Sequence, residues 1–371
     1  MNHLFVLGFM AFMVLGIGIV GAISSDAVGT PVISIEETTD YAVVSIDDET
    51  IQPLPVLVFN DLMMPTMVRS GLGPFEDIGS QIPVGSIIYH SSNGITRVFD
   101  SQGEQILIAN DNEGELIAAP GGYKPATKIH QIPNGSLIKS KGEVTEIVSD
   151  EKKVLTVINQ RDELVLPDYD GWIESSRDLS IDELAQFIAY WTVPSSPPSP
   201  QQNTVDFLFN AIQSASIGGI AQPVLEWNQA GSGRWTGAAW FVPYQQEGYY
   251  SEPIDVDVGD TIKGTLGWNP GLSQWNIIFK NEDSGISTMN WSGCVGYQNN
   301  AVFCTLEGYY VDGDSEVPGD TTFYDMRLKD LNLQNVEFNW EEDIDEVAEG
   351  YLSGLDVQIY SDSMVTLHTA N

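Results

Sequence analysis

Two strand-like runs carry side chains able to do carboxylate and amide chemistry. Ile220-Ala221-Gln222-Pro223-Val224-Leu225-Glu226-Trp227 puts Gln222, Val224 and Glu226 at alternate positions, so an extended chain shows all three on one face. Cys304-Thr305-Leu306-Glu307-Gly308-Tyr309-Tyr310-Val311 sets Glu307 in a second such run. From a neighbouring strand, Glu307 could meet Gln222 across one sheet. A carboxylate that takes a proton from water makes a nucleophile, and the acid so formed can protonate a leaving amine. A glutamine amide offers an N–H to a developing oxyanion and a carbonyl to hold the water. Only one titrating group is needed, which suits a low working pH and a chain with four histidines. Without further context, Gln222 reads as a polar strand residue and Glu307 as a surface acid.

Other catalytic signatures are missing. There is no Gly-x-Ser-x-Gly elbow, no His-Glu-x-x-His, no Walker loop and no Gly-x-Gly-x-x-Gly following a strand. His3, His90, His130 and His368 lie far apart in sequence, and nothing supports a Ser-His-Asp triad. Asp312, Asp314, Glu316 and Asp320 are not spaced as an EF-hand and read as an acidic loop rather than a calcium site. The expectation is no metal and no cofactor.

In order along the chain, several runs resemble the eqolisin-type glutamic peptidases. Phe187–Pro194 looks like their opening strand ending in Thr-Val-Pro, and Ile220–Trp227 like the strand carrying the catalytic glutamine. Val258-Gly259-Asp260-Thr261-Ile262-Lys263-Gly264-Thr265 resembles their Gly-Asp turn into a strand, and Asn281–Gly285 a later hairpin. Cys304–Val311 resembles the strand bearing the catalytic glutamate. The resemblance covers roughly residues 186–371. It implies a Gln222/Glu307 catalytic pair, with Glu226, Trp235 and Trp240 facing a substrate cleft. Two family segments differ here. Trp-Val-Gly-Ile-Asp-Gly is replaced by Phe207-Leu208-Phe209-Asn210-Ala211-Ile212, and Trp-Tyr-Glu-Trp by Ala239-Trp240-Phe241-Val242, without its glutamate.

These residues need strands to hold them, and the sequence supplies strands. Phe187–Val193, Ile254–Val258, Trp275–Phe279 and Asp356–Tyr360 alternate with period two, separated by Gly-Asp, Asn-Pro-Gly and Ser-Gly turns. That pattern predicts a mainly β protein whose residues 176–371 form an antiparallel β-sandwich. The resemblance makes that sandwich a jelly roll of the concanavalin A-like kind. Residues 26–175 hold an internal repeat over 81–117 and 131–166: Gln81-Ile82-Pro83-Val84-Gly85-Ser86 returns as Gln131-Ile132-Pro133-Asn134-Gly135-Ser136. A smaller module of β-hairpins is expected there, standing where a prosegment would stand. All nine tryptophans lie at or beyond Trp172, which argues for a boundary near 168–180. Most of them are expected in the core, with Trp235 and Trp240 the candidates to line a groove. Pro194–Pro200 reads as a long loop within the second domain, and Glu341–Glu349 as a solvated acidic loop.

Composition narrows the partners. Of 371 residues, 15 are Lys or Arg and 52 are Asp or Glu, for a net charge of −37. Such a surface repels a phosphate backbone, so no nucleic acid partner is expected. Residues 4–23 carry no charge and read as a cleaved signal peptide or an uncleaved N-terminal anchor, making 1–25 an export segment and the protein secreted or held on the outer face of the envelope. Membrane contact is expected only through that segment. Cys294 and Cys304, close together in an exported chain, suggest a local disulfide, with two free thiols as the other reading. Asn134-Gly135-Ser136 and Asn290-Trp291-Ser292 fit the N-glycosylation pattern. Two functions remain: a secreted, acid-acting glutamic endopeptidase with a polypeptide substrate, or a non-catalytic lectin-like or adhesive module on the same sandwich.

Overall fold

The alternating runs become strands of two large sheets. The computed structural model describes strands 34–37, 41–46, 49–50, 54–55 and 66–69, and residues 79–111, 114, 116–150, 152–160, 171–214, 219–243, 247–292 and 298–371. Among these residues there is no α-helix. The chain divides into two compact units, Met1–Leu57 and Val58–Asn371. The first holds a small antiparallel sheet of Ser34–Glu37, Tyr41–Ile46, Glu49–Thr50 and Leu54–Pro55. The apolar run 4–23 lies outside the described residues.

In the second unit, two sheets pack face to face as a β-sandwich. One runs Glu341–Ile344, Trp172–Glu183, Gln298–Tyr309, Val205–Ser214, Gly219–Trp227, Trp235–Pro243, Gly248–Ser251, Ile129–Ile132, Thr66–Arg69 and Gly79–Ile82. The other includes Thr321–Lys329, Gln186–Thr192, Thr261–Asn269, Gln274–Asn281 and Ser287–Ser292, and continues through Leu137–Lys141, Val144–Ser149, Lys152–Asn159, Ser86–His90 and Ile95–Phe99. Phe187, Ala189 and Trp191 alternate inward from one strand, and Trp275, Ile277 and Phe279 from another. They meet Leu208, Ile212, Leu225, Phe241 and Leu306 in one core. Close approach needs a missing side chain at Gly237, where a Cβ would stand 2.0 Å from Cε1 of Phe279.

The repeat is built twice on the same turn. Ser86 N–H donates to Pro83 O at 3.2 Å and Ser136 N–H to Pro133 O at 3.1 Å, with Gly85 and Gly135 at φ of 83° and 79°. Both copies join the sandwich sheets. Ile129–Ile132 pairs parallel with Gly248–Ser251, and Leu137–Lys141 parallel with Ser287–Ser292. Both sheets therefore run through the repeat strands and the Trp-rich strands alike.

Three sequence expectations change. Cys304 carries a free thiol, buried in the core with Sγ 3.5 Å from Sδ of Met326, so no disulfide forms at this residue. Its strand turns that side chain between the sheets, and Cys294 lies outside the described residues. Glu341–Ile344 is an edge strand rather than a loop, and its outward carboxylates leave it charged, with Asp343 held 2.6 Å from Arg177. Asn290 is fully buried and donates its amide to Ala239 O at 2.7 Å, which leaves nothing for a glycan. Pro194–Pro200 is a loop carrying the chain from one sheet to the other.

Candidate functional site

Strand register decides which side chains share a face. Glu307 lies directly opposite Phe207, and Phe207 directly opposite Glu226, so the three form one row across three antiparallel strands. Gln222 and Glu226 share a face by alternation, and Gln222 lies opposite Trp240. Gln222, Glu226, Glu307 and Trp240 therefore all project from the same side, away from the second sheet. Trp235 does not join them. It is five positions from Trp240 and so faces the other way, packed edge-on against Trp227 in the inter-sheet core with ring centroids 5.4 Å apart. Odd separations along a strand reverse the face, and that rule alone places Trp235 away from any groove that Trp240 lines.

This face is covered, and by the chain itself. Leu116–Ala119 and Gly122–Pro125 form a hairpin whose Ala119–Gly122 pairing leaves Pro120 and Gly121 as its two turn residues. Proline followed by a glycine at φ +80° is the pattern of a type II turn. Ala118 and Ala119 pack into a cluster with Phe207, Phe209, Val224, Ala238 and Trp240. The Tyr123 ring meets Tyr309 edge-on at 4.8 Å, and the Tyr310 hydroxyl donates to Leu116 O at 3.3 Å. The Gly121 N–H donates to Oε1 of Glu307 at 2.7 Å. A Cβ on the same glycine would lie 3.7 Å from Cγ1 of Val242. Glu307 and Val242 sit on strands with two others between them, so the sheet curls around the turn and the face is concave.

Because both faces of Gly219–Trp227 are covered, every residue of that strand is buried, and Gln222, Glu226 and Glu307 are each 0% exposed. Glu226 receives the Trp240 indole N–H, and the Thr236 hydroxyl at 3.1 Å. Trp240 also stacks on Tyr250 at 4.5 Å. Glu307 takes the Tyr309 hydroxyl on the oxygen that Gly121 occupies. Gln222 is different: neither Oε1 nor Nε2 has a hydrogen-bond partner among the described residues. No hydrogen bond joins it to Glu307. Unsatisfied amide atoms in a buried site cost free energy, so they mark a place suited to a polar ligand or water.

Sequence reasoning missed Lys124 on the hairpin and a histidine pair between the two sheets. Lys124 is 2% exposed, and burial pulls its ammonium down to about 8 against the attraction of Glu247 and Glu307. His90 and His130, forty positions apart, are both fully buried with ring centroids 6.3 Å apart. His90 Nδ1 sits 2.6 Å from the Thr96 hydroxyl, and its Nε2 lies 3.7 Å from Glu247. Thr96 and Thr127 donate to Asp111 at 2.7 and 2.6 Å. Burial pushes the Asp111 carboxyl up, but hydrogen bonds from His90, Thr127 and Thr96 outweigh it and hold the group below its ordinary value. Burial, with His90 and Lys128 adding to it, holds His130 well below the usual imidazole range. The signal for the hairpin was present as Ala119-Pro120-Gly121-Gly122, a turn sequence between short apolar runs. Nothing local says where such a hairpin docks.

The carboxylates of the acidic loop have partners within the protein. Asp314 is taken by Ser353 at 2.7 and 2.6 Å, Asp320 by His368 at 2.8 Å, and Glu316 by the Asp312 N–H at 2.6 Å. Among the described residues no three acidic, histidine or cysteine side chains are arranged to hold a metal.

No protein-family model and no curated protein matches the chain. Solved structures are similar at low identity. A scytalido-glutamic peptidase with a peptide-based transition-state analogue matches at a TM-score of 0.41 and 14% identity, over 54% of this chain and 98% of that one. SCP-B, a member of the eqolisin family bound to the tripeptide Ala-Ile-His, matches at 0.39 and 15%, over 54% and 98%. The CBM2 module of the evolved Dit from Lactobacillus casei BL23 phage J-1 matches at 0.25 and 12%, over 66% and 89%. None of these TM-scores reaches 0.5.

Proposed function

We propose that this chain is an acid-acting glutamic endopeptidase, kept latent by its own hairpin, with Glu307 as the proton-transfer group. The observation that carries the reading is the peptide group already at the carboxylate: Gly121 N–H on Glu307 at 2.7 Å, within a concave, aromatic-floored face. A carboxyl oxygen at that distance from a peptide nitrogen is placed to deliver a proton to a leaving amine. In its ionised form it takes that proton from an attacking water. Gln222, with both amide atoms unpartnered on the same face, is suited to hold the water or the carbonyl oxygen once the hairpin moves. Glu226, already bound by Trp240 and Thr236, orients the Trp240 wall of the face. The uncharged run 4–23 supports export, to the medium or to the outer face of the envelope.

The test is proteolysis of a denatured protein from pH 2 to 7 by wild type and by Glu307→Gln. The reading expects cleavage at acid pH by wild type and none by the variant. Equal cleavage by both, or none by wild type, rejects it.

A second reading has its own observation. Gln222 and Glu307 share a face without a hydrogen bond between them, and that face is filled, as suits a sandwich used for non-catalytic, lectin-like or adhesive binding. It gains if wild type cleaves nothing and a glycan array returns a specific ligand.

A further inference from the structure

Basic residues of this acidic chain gather on the outer face of the second sheet. Tyr324, Tyr190, Lys263 and Lys280 stand opposite one another across four antiparallel strands. Further along the same strands, Lys329, Gln186, Gly267 and Asn276 form a second row, and Arg327 lies opposite Ile188 between the two. Parity turns these side chains away from the core, because Phe187, Ala189 and Trp191 alternate inward from the same strand. None of them is buried, and Arg327 is exposed. The neighbouring strands Gln186–Thr192, Thr261–Asn269, Gln274–Asn281 and Ser287–Ser292 contain no Asp or Glu. In the whole chain, acids outnumber bases 52 to 15.

Like charges directly opposite on adjacent strands repel, so the Lys263–Lys280 pair costs stability that a bound anion would offset. Glu282 reaches Lys280 at 2.8 Å, but the two side chains are 29% and 37% exposed, and such a pair contributes little. Lys263 lies over the Tyr190 ring, 5.3 Å from its centroid. Tyr190 in turn stacks on Tyr324 at 6.1 Å. The second row has a gap at Gly267, where a Cβ would meet nothing within 4 Å. At about 4.8 Å between strands and about 3.3 Å per residue, each row spans about 14 Å and the two rows stand about 13 Å apart.

We propose that this outer face binds a linear acidic polysaccharide. Lys263, Lys280, Arg327 and Lys329 take its carboxylates or sulfates. Tyr190 and Tyr324, with the Gln186 and Asn276 amides, meet its sugar rings and hydroxyls. The site is independent of the peptidase reading and of any ligand on the concave face. Charges more than about 8 Å apart are largely screened at physiological salt, so the patch and not the net charge of −37 governs what lies against it. Asp325, Glu282 and Asp330 stand at its margins. A single polymer chain fits within those margins. A bilayer or a DNA duplex, wider than the patch, would press its own phosphates on the bordering carboxylates. A membrane would also need apolar side chains to insert, and none of the large exposed hydrophobics lies on these strands.

The experiment measures binding of the full chain at pH 6 to polygalacturonate, dextran sulfate and neutral dextran, with anionic vesicles and duplex DNA as further arms. At least one acidic polymer should bind, more weakly as salt rises, and neutral dextran should not; which of the two binds tighter tells carboxylate from sulfate. Lys263→Gln/Arg327→Gln should weaken that binding about tenfold. Lys152→Gln/Arg234→Gln, with the same net charge, should stay within about twofold of wild type. A second measurement uses the wild-type chain alone. The bound polymer should shield Lys263 and Lys280 from acetylation, read by peptide mass, and leave Lys152 reactive. This result stands even if a variant folds poorly. No binding to either acidic polymer, equal binding to neutral dextran, or equal loss in the two double variants overturns the proposal. So does a preference for vesicles or DNA, or a concentration-dependent dimer that shields the same lysines without polymer.

Discussion

The amide of Gly121 and the carboxyl of Glu307, 186 positions apart, meet at 2.7 Å, and the Tyr309 hydroxyl binds the same carboxyl oxygen. Two donors on one buried oxygen fix both the carboxyl rotamer and the docking of the hairpin turn. Removing one partner of a buried hydrogen bond costs about 1–3 kcal/mol. Tyr309→Phe removes one of the two donors with little change of shape. It should lower the urea unfolding free energy at pH 7 by about 2 kcal/mol. An unchanged midpoint would mean that the hydroxyl contributes nothing to holding Glu307.

Acid should strengthen the sandwich. Burial pushes Glu174 up to about 9, and burial together with the neighbouring Glu316 pushes Asp206 well above its usual range. Both oxygens of Asp206 lack a hydrogen-bond partner among the described residues, and at Glu174 a backbone hydrogen bond from Asp356 offsets only part of the rise. A raised folded-state pKa gives stability that is fully present below the unfolded value and lost as pH rises through the folded one. For Glu174 that window runs from 4.5 to about 9. Urea midpoints should therefore be higher at pH 4 than at pH 9, and Glu174→Gln should flatten the slope. A midpoint that rises with pH across this range would contradict the account.

The histidine pair between the sheets carries the opposite sign. His130 is held neutral by burial, and a base with a depressed pKa gives stability present above 6.5 and lost as pH falls through its folded value. It faces His90 and Lys128 and stacks on Tyr249 at 5.2 Å, and His90 in turn lies beside Asp111 and Glu247, the latter facing Lys124. Moving from pH 7 to 4 should speed hydrogen exchange in Ser86–His90 and Ile129–Ile132 while strands Val205–Ser214 and Gln298–Tyr309 keep their protection. His130→Phe, which keeps the stack and removes two unpartnered nitrogens, should abolish most of that acceleration. Uniform deprotection across both regions would show that the pH response is not local.

What the sequence could reveal follows from the range of each signal. Alternation at Phe187–Val193 and Trp275–Phe279 is local, and both segments are strands turning one face to the core. The repeat was visible because each copy needs the same Pro-x-Gly turn, at Gly85 and Gly135. Gln222, Glu226 and Glu307 fall on one face because strand parity and register follow from the same periodicity. The same parity rule turns Trp235, five positions from Trp240, to the opposite face. The cover over that face was not legible. Gly121 meets Glu307 through docking of a hairpin 186 positions away, and no periodicity reports such a contact. His90 and His130 likewise come together only because Ser86–His90 and Ile129–Ile132 lie in opposite sheets.

Sheet spacing gives a paired test. A Cβ at Gly237 would stand 2.0 Å from the Phe279 ring, whereas one at Gly267 meets nothing within 4 Å. Overpacking of a filled core costs about 1–3 kcal/mol. Gly237→Ala should lose at least that much in urea unfolding, and Gly267→Ala should stay within about 0.5 kcal/mol of wild type. Equal losses at the two positions would mean that the sheets are not held as closely as the Phe279 contact requires.

Cys304 tests the core from the chemical side. Its thiol is 0% exposed beside Met326, and burial raises it well above the ordinary thiol range, so little reactive thiolate forms at neutral pH. A thiol reagent at pH 8 should leave Cys304 unlabelled in the folded protein and label it after urea unfolding, with peptide mapping to separate it from Cys294. If the fold owes nothing to a Cys304 disulfide, dithiothreitol should leave the urea midpoint where it was. A midpoint that falls on reduction, together with protection of Cys304 in the unfolded but unreduced chain, would restore the disulfide. It would also require the strand Gln298–Tyr309 to turn this side chain out of the core. That would reverse the parity that places Glu307 on the concave face, so the thiol measurement bears directly on the candidate site.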